Sequence, residues 1–237
     1  MDAAFFNAVR SLLYGGSLNQ AQVDALNAIG AAWEQYGDGD DRKLAYILAT
    51  AHHETGGFRY MREIWGPTAA QKRYEGRKDL GNTQPGDGKR FMGRGFVQLT
   101  GRRNYADWSK RTGLDLVGNP DLVVKPEIAA RILVQGSMLG TFTGKKLGDY
   151  ASFRDMRRVI NGTDRAGDIA LYADRFLAAL LAVKEGVSLP PQDDIPHHPE
   201  QPSSGSANKR SGIPGWIIAA GLLVLAAVLV ALFTPIF

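Results

Sequence analysis

Two stretches decide the fold of this chain: Ala45–Phe58, AYILATAHHETGGF, and Asp79–Tyr105, DLGNTQPGDGKRFMGRGFVQLTGRRNY. In the first, Leu44, Ile47, Leu48 and Ala51 recur at helical spacing, and the Gly56-Gly57 pair ends the pattern. A helix starting at Asp40 or Asp41 therefore carries an apolar face and closes on a carboxylate, Glu54. The second stretch is rich in glycine and arginine, then gives an amide, a hydroxyl and an amide at Gln98, Thr100 and Asn104. If the segment is extended, Gln98 and Thr100 share one face and Leu99 turns to the core.

Outward from these blocks the pattern stays helical. MDAAFFNAVRSLL reads as a short amphipathic helix and not as a secretory signal, because Asp2 comes early and no long apolar core follows. Asn19 and Gln22 form a capping pair for a helix through Val23, Leu26, Ile29, Ala32 and Trp33. Further helices are predicted at about 101–112, 126–139 and 165–184, with a weaker one near 150–160. Residues 66–97 read as irregular, and so long a loop in a compact domain is functional or disordered. The fold class expected is mainly α, with no internal repeat.

Three segments follow from composition: a globular domain over 1–186, a Pro/Ser-rich linker over 187–212 and a C-terminal transmembrane anchor over 213–237. Trp216–Phe233 is eighteen residues without a charge, long enough to cross a hydrocarbon core. Lys209 and Arg210 precede it and nothing basic follows, so the charge bias places the domain on the cytoplasmic side of a bacterial inner membrane. The 237-residue chain has a net charge of +4 and no cysteine, which excludes disulfides and thiolate metal sites. A mild positive excess suits an anionic polymer, and by charge alone nucleic acid would fit it too; nucleic acid is nevertheless not among the partners expected.

Glu54 sits where burial and the negative end of a helix dipole both disfavour ionisation, which suits a general acid. HHETGG departs from a zinc-protease signature because Gly57 stands where the second histidine belongs. His52 and His53 then read as one packed histidine and one lining a cleft, and neither metal nor cofactor is expected. Hydrolysis of a glycoside needs a second carboxylate. Glu63 lies nine residues on, which on an unbroken helix would be the opposite side; the glycine break lets the chain fold back. Glu75 is the rival base, with Asp79 and Asp87 weaker options because turn aspartates usually bind backbone amides. Asp38, Asp40 and Asp41 do not match a calcium loop, and Asn161-Gly162-Thr163 reads as a turn.

AHHETGGF, LGNTQPGDG, FMGRGFVQLTGRRNY and the later VINGTDRA and YADRF resemble the glycoside hydrolase family 19 chitinase-like domain, in its phage-endolysin and bacterial lysozyme-like branch. The resemblance covers about residues 1–184. It implies a lysozyme-like helical fold with a deep substrate cleft and metal-free inverting hydrolysis of β-1,4-linked amino sugars. By the same resemblance, Glu54 is the acid, Thr100 holds the attacking water, and Gln98, Asn104, Asn161 and Arg175 bind substrate or support the site; His53, as the cleft-lining histidine, is added to the substrate-binding set. Plant chitinases carry their base further along, in a loop absent here; the endolysin-like branch has a glutamate near Glu63, which is the base chosen. The function expected is hydrolysis of peptidoglycan glycan strands, with a holin admitting the enzyme to the wall. A chitinase is the alternative, and a non-catalytic glycan-binding module on a membrane anchor is a third reading.

Overall fold

The computed structural model describes residues 1–187. The linker beyond Val187 and the anchor expected at 213–237 lie outside the described residues. Among those described, no helix is long and apolar enough to cross a membrane.

The α-helices are α1 (Ala3–Leu13), α2 (Gln20–Tyr36), α3 (Asp41–Glu54), α4 (Ala69–Lys72), α5 (Asp87–Arg90), α6 (Arg102–Thr112), α7 (Pro126–Leu139), α8 (Phe153–Met156) and α9 (Ala166–Glu185). Their starts follow local chemistry. Asp2 accepts a hydrogen bond from Phe5 N at 2.8 Å. Asn19 and Gln22 form a reciprocal capping box, and Asp40 accepts from Arg42 N, so orphan N–H groups are satisfied at each entrance.

Helix α3 is the axis of the domain. Ala45, Tyr46, Ile47, Leu48, Ala49, Thr50 and Ala51 are all fully buried, so this helix is covered on every side. Its principal neighbour is α9, while α2 lies on α7 and α1 on α9. Alanines 45, 49 and 51 leave room for these neighbours, and Phe58, Phe96, Tyr172 and Phe176 complete the core around its C-terminal half.

The expected helices 101–112, 126–139 and 165–184 are present within a residue or two. The weaker one near 150–160 is two pieces, α8 and a 3-10 turn at Arg157–Val159. Residues 66–97, expected to be irregular, contain the single-turn helices α4 and α5 and are otherwise irregular but held. Glu75 accepts from Gly86 N at 2.6 Å and Gly88 N at 2.8 Å. Asn82 donates to Tyr74 O and accepts from Arg102 N, both at 2.9 Å. Side-chain-to-backbone bonds replace a ladder here, which is why periodicity could not find the order.

One expectation fails in its reason. The segment after Gly93 is not an extended strand but a tight turn closed by Leu99 N donating to Arg94 O at 2.8 Å, with Gln98 at φ 50°. Gln98 and Thr100 share a side because the left-handed turn puts them there, and strict alternation plays no part. Leu99 is buried as expected.

Asp87 fastens this region through a bidentate pair with Arg102, at the start of α6. The Arg102 guanidinium holds the Asp87 carboxyl below its ordinary value of 3.8. An acid shifted down stabilises the fold fully above its unfolded pKa and loses that contribution as pH falls through the folded one. Asp87→Asn is therefore expected to lower the melting temperature at pH 7. Thermal scans on acidification should show the gap to wild type closing as pH falls below about 4; a constant gap would refute the assignment.

Candidate active site

Tyr46, Thr50 and Glu54 are spaced four residues apart, so they line one stripe of α3. Arg157, from the 3-10 turn after α8, meets that stripe. Its Nη1 donates to Glu54 Oε1 at 2.6 Å, and its Nε donates to Asp164 O at 2.9 Å. Arg157 is 1% exposed and Glu54 6%. Glu54 is thus half of a buried ion pair, which corrects the expectation of an isolated acid governed by burial and dipole alone. Tyr46, beside Thr50 and Arg157, has its hydroxyl pushed up to about 12 by burial.

The two histidines differ in burial. His52 is buried, with Nδ1 2.9 Å from the Tyr14 hydroxyl and its ring edge-on to Tyr172. His53 is half-buried beside the Glu54–Arg157 pair, and desolvation pushes its pKa down, favouring the neutral ring.

Past Glu54 the chain reverses. Gly56, Gly57 and Phe58 all have positive φ, and Gly57 N closes onto His52 O at 2.7 Å. The returning chain pairs with the turn after Met92: Glu63 N donates to Gly93 O, and Gly95 N to Met61 O. In this antiparallel pair Arg62 and Arg94 fall on one face, where Asp121 holds both at 3.0 and 2.9 Å. Glu63 falls on the other. Its Oε1 accepts from Gln71 Nε2 at 2.9 Å and its Oε2 from Gly93 N at 3.1 Å. The Tyr74 hydroxyl faces the same carboxylate, and burial nevertheless pushes the Glu63 pKa up.

Gly93 joins the carboxylate to the amide and the hydroxyl. A Cβ at this residue would lie 2.8 Å from Gln98 Oε1 and 3.4 Å from Thr100 Oγ1. Only glycine leaves that approach open, although its φ is not in the left-handed region. Thr100 Oγ1 donates to Gln98 O at 2.8 Å, so its lone pairs remain available to accept. Gln98 Nε2 donates to Gly95 O, and Asn104 Nδ2 to Thr100 O at 2.7 Å, which fixes the turn against α6.

Asn161 follows Arg157 by one turn, with its N–H on Arg157 O at 2.9 Å. Its side chain is buried, and Nδ2 has no partner among the described residues. A buried donor in that condition is one a ligand can satisfy. Arg175 lies further along α9 and donates to Leu12 O, tying α9 to the end of α1. Of the rival bases, Asp79 and Asp87 are paired with Arg77 and Arg102, while Glu75, like Glu63, accepts an N–H bond on each oxygen. Among the described residues, no three His, Asp or Glu side chains converge as a metal site.

Sequence reasoning missed Arg157, Gln71, Tyr74 and the hub role of Gly93. Thr68-Ala-Ala-Gln71 did carry a signal, a capping box. Arg157 carried none, being 103 residues from Glu54.

Residues 14–134 match the class I chitinase family of glycoside hydrolases, family 19. The chain belongs to this family. Among curated relatives, an endochitinase of Arabidopsis thaliana is 33% identical over 133 residues, covering 54% of this chain and 44% of its own. A glycosyl hydrolase family 19 domain-containing protein of Haemophilus influenzae is 30% identical over 133 residues, covering 43% of this chain and 66% of its own. The match thus spans about half to two-thirds of these relatives' length. A bacterial family 19 chitinase of known structure superposes with a TM-score of 0.57 at 25% identity, over 82% of this chain and 97% of that one. Chitinase C of Streptomyces griseus gives a TM-score of 0.53 at 23% identity, over 81% and 95%. The mainly helical, lysozyme-like architecture of family 19 is therefore the fold of this domain.

Removing one member of a buried ion pair strands the other. Arg157→Met in this family 19 domain is expected to cost about 3–5 kcal/mol, whereas Glu54→Met/Arg157→Met should recover most of that loss. Urea midpoints of the two single variants and the double test this; additive losses would show that the pair is not a unit.

Proposed function

We propose that this domain hydrolyses β-1,4 bonds between amino sugars by inverting general acid–base catalysis, with peptidoglycan glycan strands as the substrate. The observation carrying the proposal is the pair of buried carboxylates on either side of the Gly56–Phe58 reversal, with Thr100 brought to Glu63 around Gly93.

Each group has a part. Glu54 Oε1 is engaged by Arg157, leaving Oε2 to take up a proton from solvent before each turnover and pass it to the glycosidic oxygen as the C1–O bond breaks. A water on the opposite face donates one hydrogen to Thr100 Oγ1, whose own proton is committed to Gln98 O, and the other to Glu63. Its free lone pair then attacks C1, Glu63 takes the proton, and the anomeric configuration inverts. Arg157 keeps Glu54 oriented and balances the charge left after proton transfer. Asn161 Nδ2 and the neutral His53 supply polar contacts for the sugar.

Peptidoglycan is supported by the net charge of +4 and by the uncharged C-terminal run that would anchor the domain. Chitin is the second reading, favoured by relatives named endochitinases. Anchoring through residues 213–237 in a bacterial inner membrane, with holin-dependent access to the wall, belongs to the same proposal. It rests on the uncharged run Trp216–Phe233 and on Lys209 and Arg210. Protease digestion of intact spheroplasts should spare the N-terminal domain, and digestion from outside would overturn that topology.

The full chain, in detergent, is expected to release disaccharide-peptide fragments from sacculi, detected by mass spectrometry. Glu54→Gln keeps an acceptor for Arg157 and should fold, yet lose about 10²–10⁴ in rate. Cleavage of chitin oligomers alone would move the substrate to chitin. Undiminished turnover by Glu54→Gln would overturn the mechanism, and tight glycan binding without turnover would mark a binding module.

A further inference from the structure

The carboxamide of Gln71 is saturated. Nε2 donates to Glu63 Oε1 at 2.9 Å and to Ile64 O at 2.8 Å, while Oε1 accepts from Gly66 N at 3.0 Å and Thr68 N at 2.8 Å. Both amide hydrogens and both acceptor positions are used, and the residue is 1% exposed. The orientation cannot reverse. A flipped amide would set Oε1 against the Glu63 carboxylate and the Ile64 carbonyl, and Nε2 against two backbone N–H groups, four mismatches in a buried site.

The backbone of residues 64–68 therefore decides that a donor, and not an acceptor, faces Glu63. We propose that Gln71 is a positioning residue for the base: it converts the folded state of the 64–71 loop into a fixed hydrogen bond on the Glu63 carboxylate, keeping that carboxylate ionised and aimed across Gly93 at Thr100. This rests on the reading of Glu63 as the base.

The surroundings leave few competing influences. Tyr74 is the titratable group facing Glu63, and Arg77 acts on Tyr74 from behind. Arg62 and Arg94 flank the pair from the opposite face, where Asp121 engages both. Gly93 N contributes a backbone donor. Burial alone favours the protonated acid, so donors to the carboxylate oppose it, and losing one favours protonation.

The sign of the test follows. A base must be ionised, so loss of the Gln71 donor moves the acid limb of the pH–kcat/KM profile to higher pH. For Gln71→Met, near the original in shape but without donor or acceptor, a rise of about one pH unit is expected, with activity partly regained at pH values above the limb. The profile is measured on the full chain from about pH 4 to 9, with the substrate cleaved in the assay above and melting temperature followed in parallel.

Gln71→Glu is measured beside it. It keeps an oxygen for Gly66 and Thr68 but sets a second carboxyl against Glu63, so its limb should rise further; it carries the test if Gln71→Met fails to fold. Glu63→Gln separates the two levels of inference. An active Glu63→Gln overturns the base assignment and this proposal with it. An inactive Glu63→Gln together with limbs that stay in place, the loss being uniform at every pH, overturns the role of Gln71 alone.

Discussion

The ion pair between Glu54 and Arg157 is the interaction around which this domain is arranged. Both groups are withdrawn from water, and such a pair repays its desolvation only with good geometry and further hydrogen bonds. The structure supplies these through the 2.6 Å contact and the Asp164 carbonyl. As a device for stability alone the pair would be a poor choice, because apolar side chains of similar volume serve as well or better. Its retention fits a carboxylate that must keep one orientation in a dry site. The rest of the fold then appears as what holds the two halves together. Helix α3 delivers Glu54, and α8 with the turn after it delivers Arg157 against α9.

The two carboxylates are held by contrasting means. Glu54 is on the last turn of a helix buried on all sides, so its backbone is fixed by the core. Glu63 is on irregular chain, and its position depends on individual polar bonds from Gln71, Gly93 and the Asp121-bridged arginines behind it. Each such bond contributes little by itself, about 1 kcal/mol for a neutral pair and more to a charge. Together with Glu75, Asn82 and Asp87 they order residues 64–93 around the two single-turn helices α4 and α5. The base can thus respond to its loop in a way that the acid cannot respond to α3.

This contrast also explains what could be read beforehand. The caps at Asp2, Asn19 and Asp40, the break at Gly56-Gly57 and the apolar spacing of α3 are local, so the helices and the placement of Glu54 were legible. The reversal that frees Glu63 from the far side of α3 was legible for the same reason. Arg157 was not, because an arginine beside another arginine gives no sign of which one will be buried 103 residues from its partner. Gln98 was assigned to the right side for the wrong reason: alternation assumes extended backbone, and φ of 50° is a tertiary result. The bonds from the Gly86 and Gly88 amides to Glu75 were not legible either, since they join residues eleven and thirteen apart across an irregular turn. Family resemblance narrowed these choices where periodicity could not.

Features that cost stability gather around one region. Phe58 and Gln98 hold left-handed backbone, Glu63 is buried without a cation of its own, and Asn161 carries a buried donor without a partner among the described residues. Left-handed conformations of side-chain-bearing residues cost on the order of 1–3 kcal/mol each and persist where surrounding structure over-determines them. Here that structure is the α3 core, whose seven successive buried residues and aromatic neighbours supply packing that does not depend on the site. Relieving these features one by one should stabilise the chain while removing the groups positioned for chemistry, as expected where function is set against stability. The region that looks least economical as a fold is therefore the region in which a sugar and a water could both be held.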